Sequence, residues 1–397
     1  MGRWGRAAIC WLLVAVAVPA CSAVPFGRCD LDVADRSLPP GGDRRSESLL
    51  LAGVKPGGVV LYEARAGGDA SRVAVLADDE LGGPADRTRL VVDGARPYVV
   101  SGGGRVLAVN PVSGHTSPIA ELGSLDHPSV AVRSGALFVA DGARLFQVGL
   151  PSGLPVVVTG LPGSAIGPAV VVPEGVATLV RQGDRASVAV VPAGSRSPAR
   201  TVVLAGAADD WTSLVARGDG TLVAGGPAGV ARVAPAASSL PVLGADGAEG
   251  PTVVGSPGTH LALVGERVWA GGPGGHVDRL DAGLEVATTA TVQCGDAVAP
   301  VPVAGAGSVW AAVDRDDVVA RIDPDTGRLL GRLALPLATG GGSRYRVVGG
   351  PATAWVADEV TGALYELDPV AGAARRVGLP GPPDAVVGAV VVSTPDG

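Results

Sequence analysis

Apolar residues run along this chain in short bursts, rich in Val, Ala and Leu, and each burst is cut off by Gly, Pro, Asp or Asn. Short apolar runs bounded by turn residues predict strands rather than helices. The bursts are ordered. An apolar strand leads through a short turn to a second one, a Gly- or Asp-rich turn leads to a third, and a Pro/Gly turn leads to a fourth. The clearest copy starts at Val301 and reads VPVAGAG, SVWAAVDRDD, VVARIDPDTG, RLLGRLALP; the next starts at Tyr345 and reads YRVVGGPA, TAWVADEVTG, ALYELDPVAG, AARRVGLP. Fainter copies start at Arg89 and Ser129.

First strands are expected near residues 89, 129, 168, 213, 260, 301 and 345, a step of roughly 40 residues. Four short strands per repeat of that length is the signature of a β-propeller. Two fragments remain. Leu49 to Asp78 holds three strands without a leading one, and Ala385 to Thr394 is a lone strand. Together they make one blade, and pairing them leaves no open edge at the seam. The predicted fold is an all-β, eight-bladed propeller over 48–397, closed by the C-terminal strand; a seven-bladed ring with one distorted unit is the rival.

The turns support this reading. Asn110 to Gly114, Asp323 to Gly327 and Asp368 to Gly372 each sit between a third and a fourth strand. In each, Asx caps the turn, Pro presets φ and Gly takes the left-handed position. These Asp residues are therefore assigned to turn chemistry. The 61 Gly and 33 Pro argue against long helices, since both break helix interiors. An apolar content of 47% is far above that of a disordered chain.

The first 20 residues differ from the rest. Arg3 and Arg6 precede an apolar run of 12, Ala7 to Val18. That length fits the core of a signal peptide and falls short of an ordinary membrane span. Export is expected, with residues 21–47 as a tail. Val18-Pro19-Ala20-Cys21 resembles a bacterial lipobox, which implies a lipid on Cys21; simple cleavage after Ala20 or Ala23 is the alternative. Cys10 leaves with the signal. With Cys21 lipidated, Cys29 and Cys294 remain as an even pair in an oxidising compartment, and a disulfide between them is expected. Lys55 is the single Lys against 30 Arg, a bias that suggests a GC-rich genome, and the chain as a whole resembles a bacterial lipoprotein of actinobacterial type. The net charge of −7 disfavours nucleic acid as a partner.

Trp310 with its following strand and Asp323-Pro324-Asp325-Thr326-Gly327 resembles the extracytoplasmic propellers of the YVTN, virginiamycin-lyase-like and quinoprotein-like repeat families, as does Trp355 with Leu364 to Pro369. The resemblance is sharp over 300–380 and faint before. It implies the propeller fold and, among functions, lyases, lactonases, quinone-dependent dehydrogenases and binding scaffolds. The quinoprotein pattern D-x-x-T-G is met at Asp323 to Gly327, yet Gly331 stands where its Trp belongs and no adjacent Cys pair exists. The lyase pattern asks for a His and Glu pair near a divalent metal. None of the four His lies in an H-x-E or H-E-x-x-H setting.

Candidate chemistry falls on one face, where blade-to-blade loops and the loops between second and third strands converge. The former carry Asp126-His127, Asp209-Asp210-Trp211, His260 and Arg344; the latter carry Lys55, Arg181, His276 and Asp314 to Asp317. Three His (127, 260 and 276) are metal-capable by type, but isolated loop His more often cap or solvate. Asp316 and its acidic neighbours lack a calcium-loop spacing, and Arg315 opposes a cation. No metal and no cofactor is therefore expected. Trp211 beside two acids has two readings, a ledge for a sugar or peptide and a core ring between blades. Trp269, Trp310 and Trp355 occupy equivalent second-strand positions, which points to packing. The expected function is an exported, lipid-anchored, monomeric binding or scaffolding module of the cell envelope, with a protein, peptide or glycan partner. The alternative is a propeller enzyme of lyase, lactonase or hydrolase type.

Overall fold

The computed structural model describes residues 47–393 apart from 134, 199, 228, 234–252, 255–259, 273, 293–299, 314–316 and 337–343. Cys21, Cys29, Cys294 and Asp316 lie outside the described residues, and so do the expected signal segment and its cleavage site. The described residues form eight four-stranded antiparallel sheets. In seven of them the strands pair in chain order. The other joins Glu47–Lys55, Gly58–Arg65 and Ser71–Ala77 to the C-terminal strand Ala385–Ser393. It is numbered blade 1 here, and blades 2 to 8 follow along the chain.

The innermost strands of blades 2 to 8 are Arg89–Asp93, Ser129–Arg133, Ser164–Val172, Ser213–Ala216, His260–Val264, Val301–Gly305 and Tyr345–Gly349. Each contacts the inner strand of the next blade, and Ala385–Ser393 links Tyr345–Gly349 to Arg89–Asp93. The ring is closed, and the eight-bladed count holds. Six of the seven expected starts coincide with observed ones. The seventh does not: the inner strand of blade 4 begins at Ser164, ahead of the expected 168. Its register breaks between Ala165 and Ala169, so Gly167-Pro168 marks a bulge inside a strand. Pro and Gly in a strand are compatible with such a bulge.

The core is split into eight apolar wedges, one between each pair of neighbouring blades. The same second-strand position supplies a buried ring in five blades: Tyr98, Phe138, Trp269, Trp310 and Trp355, none above 1% exposed. Phe138, Trp269, Trp310 and Trp355 each pack into the wedge toward the following blade. Removing such a ring costs about 3 to 5 kcal/mol.

Turns between third and fourth strands lock blade to blade. The carboxylate or amide oxygen of Asn110, Asp323 and Asp368 accepts from the N–H groups two and three residues on, at 2.8 to 3.1 Å. Gly114, Gly327 and Gly372 close these turns at φ of 70°, 73° and 65°. In blades 3, 6, 7 and 8 the residue two places before this turn reaches across to the turn of the next blade. Gly194 N–H donates to Gln147 Oε1 (2.6 Å), and Gly67 N–H donates to Glu366 Oε2 (2.9 Å). Arg279 donates to Asp325 O, and Arg321 Nη1 donates to Pro369 O at 2.7 Å. Arg321 is 0% exposed; its Nε also donates to Ser308 Oγ, and its guanidinium lies 5.8 Å from the Trp310 ring. No helix among the described residues is long and apolar enough to cross a membrane.

Candidate functional site

Antiparallel blades have two faces. One carries the first-to-second and third-to-fourth strand turns. The other carries the blade-to-blade loops and the second-to-third strand hairpins, and it holds the candidate residues. At the mouth of the central channel on this face lies a cavity of about 610 Å³. The inner strands of blades 2, 3 and 4 frame it through Arg89, Ser129 and Ala165 to Gly167, with His127 and Arg181 at its rim.

The loop entering blade 3 is pinned from below. Asp141 is 5% exposed, and its Oδ1 accepts from the N–H groups of Asp126 (3.0 Å) and His127 (2.7 Å). That capping leaves both side chains outward: His127 at the cavity, Asp126 paired with Arg87 at 2.7 Å. The loop entering blade 5 contributes Asp209, whose carboxylate pairs with Arg181. Asp210 does otherwise. Its Oδ2 accepts from Ala207 N–H (2.7 Å) and closes the short turn Ala208–Asp210.

Trp211 forms no ledge. It is 1% exposed, packs in the wedge between blades 4 and 5, and donates from Nε1 to Ala205 O at 2.8 Å. A ring so buried cannot stack on a ligand, so Trp211 leaves the set of binding candidates. His260 and His276 flank the second strand of blade 6, pairing with Gly271 and Gly272. His276 Nε2 stands 3.4 Å from Asp278 Oδ2, which is buried beside the Thr289 hydroxyl. His127 sits three blades away, and among the described residues no three His, Cys, Asp or Glu side chains are grouped to hold a metal. Asp316 lies outside the described residues; its neighbour Asp317 accepts from the Tyr345 hydroxyl.

Arg89 is the residue that sequence reasoning missed. It opens the inner strand of blade 2, with Nε donating to Pro128 O (3.1 Å) and Nη1 to Thr88 O (3.0 Å). Burial lowers its pKa from the ordinary value, and the Arg346 guanidinium lowers it further, while Glu359 and Asp86 act in the opposite sense. Arg346 itself is held by Glu359 at 2.6 Å. The available signal was a charged residue at the first position of an inner strand, where the other blades carry Ser, His, Val, Tyr or Ala.

The fold is that of the β-propellers. No protein-family profile and no curated protein matches the chain. Solved structures do. AztD from Citrobacter koseri superposes with a TM-score of 0.58 at 15% identity, over 88% of this chain and 99% of that one. BamB from Moraxella catarrhalis gives 0.52 at 13%, over 82% and 95%. A streptogramin B lyase gives 0.50 at 12%, over 68% and 89%. Likeness at such identities is likeness of fold, and propellers host unrelated functions.

Proposed function

We propose that this protein is a binding module of the cell envelope: exported, anchored through a lipid on Cys21, and presenting the loop face of a rigid ring to an envelope protein, peptide or glycan. One observation carries the reading. Outward polar groups of that face, His127 and Arg181, meet at one cavity, with His127 fixed by a main-chain hydrogen bond to Asp141 and Arg181 paired with Asp209. A concave site with a few convergent polar groups on a rigid scaffold is the usual form of a binding site. The enzyme alternative has less behind it, because His127 stands three blades from His260 and His276 and no three His, Cys, Asp or Glu side chains are grouped to hold a metal among the described residues.

The test is in-cell photo-crosslinking from single positions. Probes at Asp126 and Asp209 should capture one common partner, from membrane fractions. Probes at Val112 and Val370, exposed on the opposite face, should not. No capture, or equal capture from both faces, refutes the reading.

A further inference from the structure

We propose that the cavity at the channel mouth binds an oxyanion, a carboxylate or phosphate group carried on a compact apolar body. The inference rests on the binding reading above and names the ligand chemistry of that face. The whole chain is acidic, with 38 Asp and Glu against 31 Lys and Arg. The cavity lining reverses this sign. Its ionisable residues are Arg89, Arg181 and His127, and no carboxylate lines it.

The two guanidiniums are poorly neutralised. Arg89 donates to two neutral carbonyls, and no carboxylate among the described residues is hydrogen-bonded to it. Through space the Arg346 guanidinium repels it, while Glu359 and Asp86 oppose that effect without hydrogen-bonding to it. Arg181 has a carboxylate partner, but an exposed one: the Asp209 side chain is 84% accessible. Exposed pairs of this kind are worth little, so an incoming anion can replace Asp209 at small cost. Arg presents a planar fork that matches carboxylate and phosphate oxygens two at a time.

The remaining wall is apolar and shaped by main chain. Val130 and Ile166 line it, and the bulge at Ile166–Pro168 bends the inner strand of blade 4 there. Gly167 permits the bend, since a Cβ would stand 2.8 Å from the Leu179 side chain. A volume of about 610 Å³ lies within the roughly 300 to 1,000 Å³ of small-molecule sites. Charge therefore sits at the rim and apolar surface behind it.

The experiment is calorimetric titration of the full mature chain with benzoate, phenyl phosphate, benzamide and inorganic phosphate, at low and high salt. Benzoate or phenyl phosphate should bind, and the tighter of the two identifies the oxyanion. Benzamide should bind about tenfold more weakly, and salt should weaken the acids. Arg89→Gln and Arg181→Gln should each weaken binding about tenfold with unchanged circular dichroism, whereas Arg376→Gln, on an outer strand, should not. Benzamide binding as well as benzoate overturns the anion assignment. Inorganic phosphate binding as well as phenyl phosphate overturns the apolar body. Failure of both acids to bind, or equal loss in Arg376→Gln, overturns the inference as a whole. Partner capture by crosslinking is read separately, so either result stands or falls without the other.

Discussion

Tyr62, Tyr98 and Tyr365 are each 1% exposed, and burial pushes every one of their phenols above its ordinary pKa. A phenol raised in this way favours the neutral form of the folded protein. Its contribution to stability is fully present below the unfolded pKa, about 10, and is lost as pH rises through the folded value. Alkaline titration followed by phenolate absorbance should therefore leave these three un-ionised at pH ~10; they should ionise only as the sheet signal in circular dichroism collapses. Smooth ionisation of all four tyrosines with the sheet intact would contradict the burial. Rings at recurring second-strand positions were legible as core, because repetition in step with the blades is a packing signal. Trp211 had no such repeat, and two adjacent acids made it look like a ledge. Arg89 was hidden for a different reason. The charged first position of Arg-Leu-Val-Val-Asp was the available signal, and nothing in the strand itself reveals that this side chain opens on a channel.

At the level of elements, the turn after each third strand fixes both conformation and spacing. Gly114 needs its positive φ, and a Cβ there would come within 2.3 Å of Val73 O in the preceding blade. Strain and clash add, so Gly114→Ala should destabilise by about 2 kcal/mol or more, read as a lowered midpoint in urea. An unchanged midpoint would mean that the two blades are not in contact through this turn. Asx-Pro-x-x-Gly was readable because local chemistry dictates it. The bulge in blade 4 was not, since Gly167-Pro168 punctuates a strand end and a strand bulge alike. The cavity was illegible as well: three inner strands, each a full repeat apart, supply its walls, and only closure of the ring sets them side by side.

At the scale of the molecule, stability is shared among eight wedges of similar make, and closure makes them mutually dependent. The join in blade 1 is the one place where a blade depends on both ends of the chain. Deleting residues 385–397 strips the inner strand from blade 1 and uncovers Leu49 and Leu51, at 0% and 1% exposure in the intact ring. The truncated chain should lose its single sharp thermal transition and be cut by trypsin at Arg65 before other sites. Retention of one cooperative transition at the original temperature would show that blade 1 holds without its partner strand. The overall ring was predictable from sequence because each repeat leaves an apolar face that only a neighbour can cover.

The same join has a mechanical consequence. Glu47 pairs with Ser393 and Val54 with Ala385, so both ends of the folded chain leave from the same end of one antiparallel ladder. Tension between the two ends loads that ladder rung by rung, as a zipper, instead of shearing all its hydrogen bonds at once. The first resistance comes from a side chain. The Glu47 carboxylate accepts from Ala352 N–H and from the Thr353 hydroxyl at 2.7 Å, both in blade 8. Under load, the circle gives way first at that carboxylate.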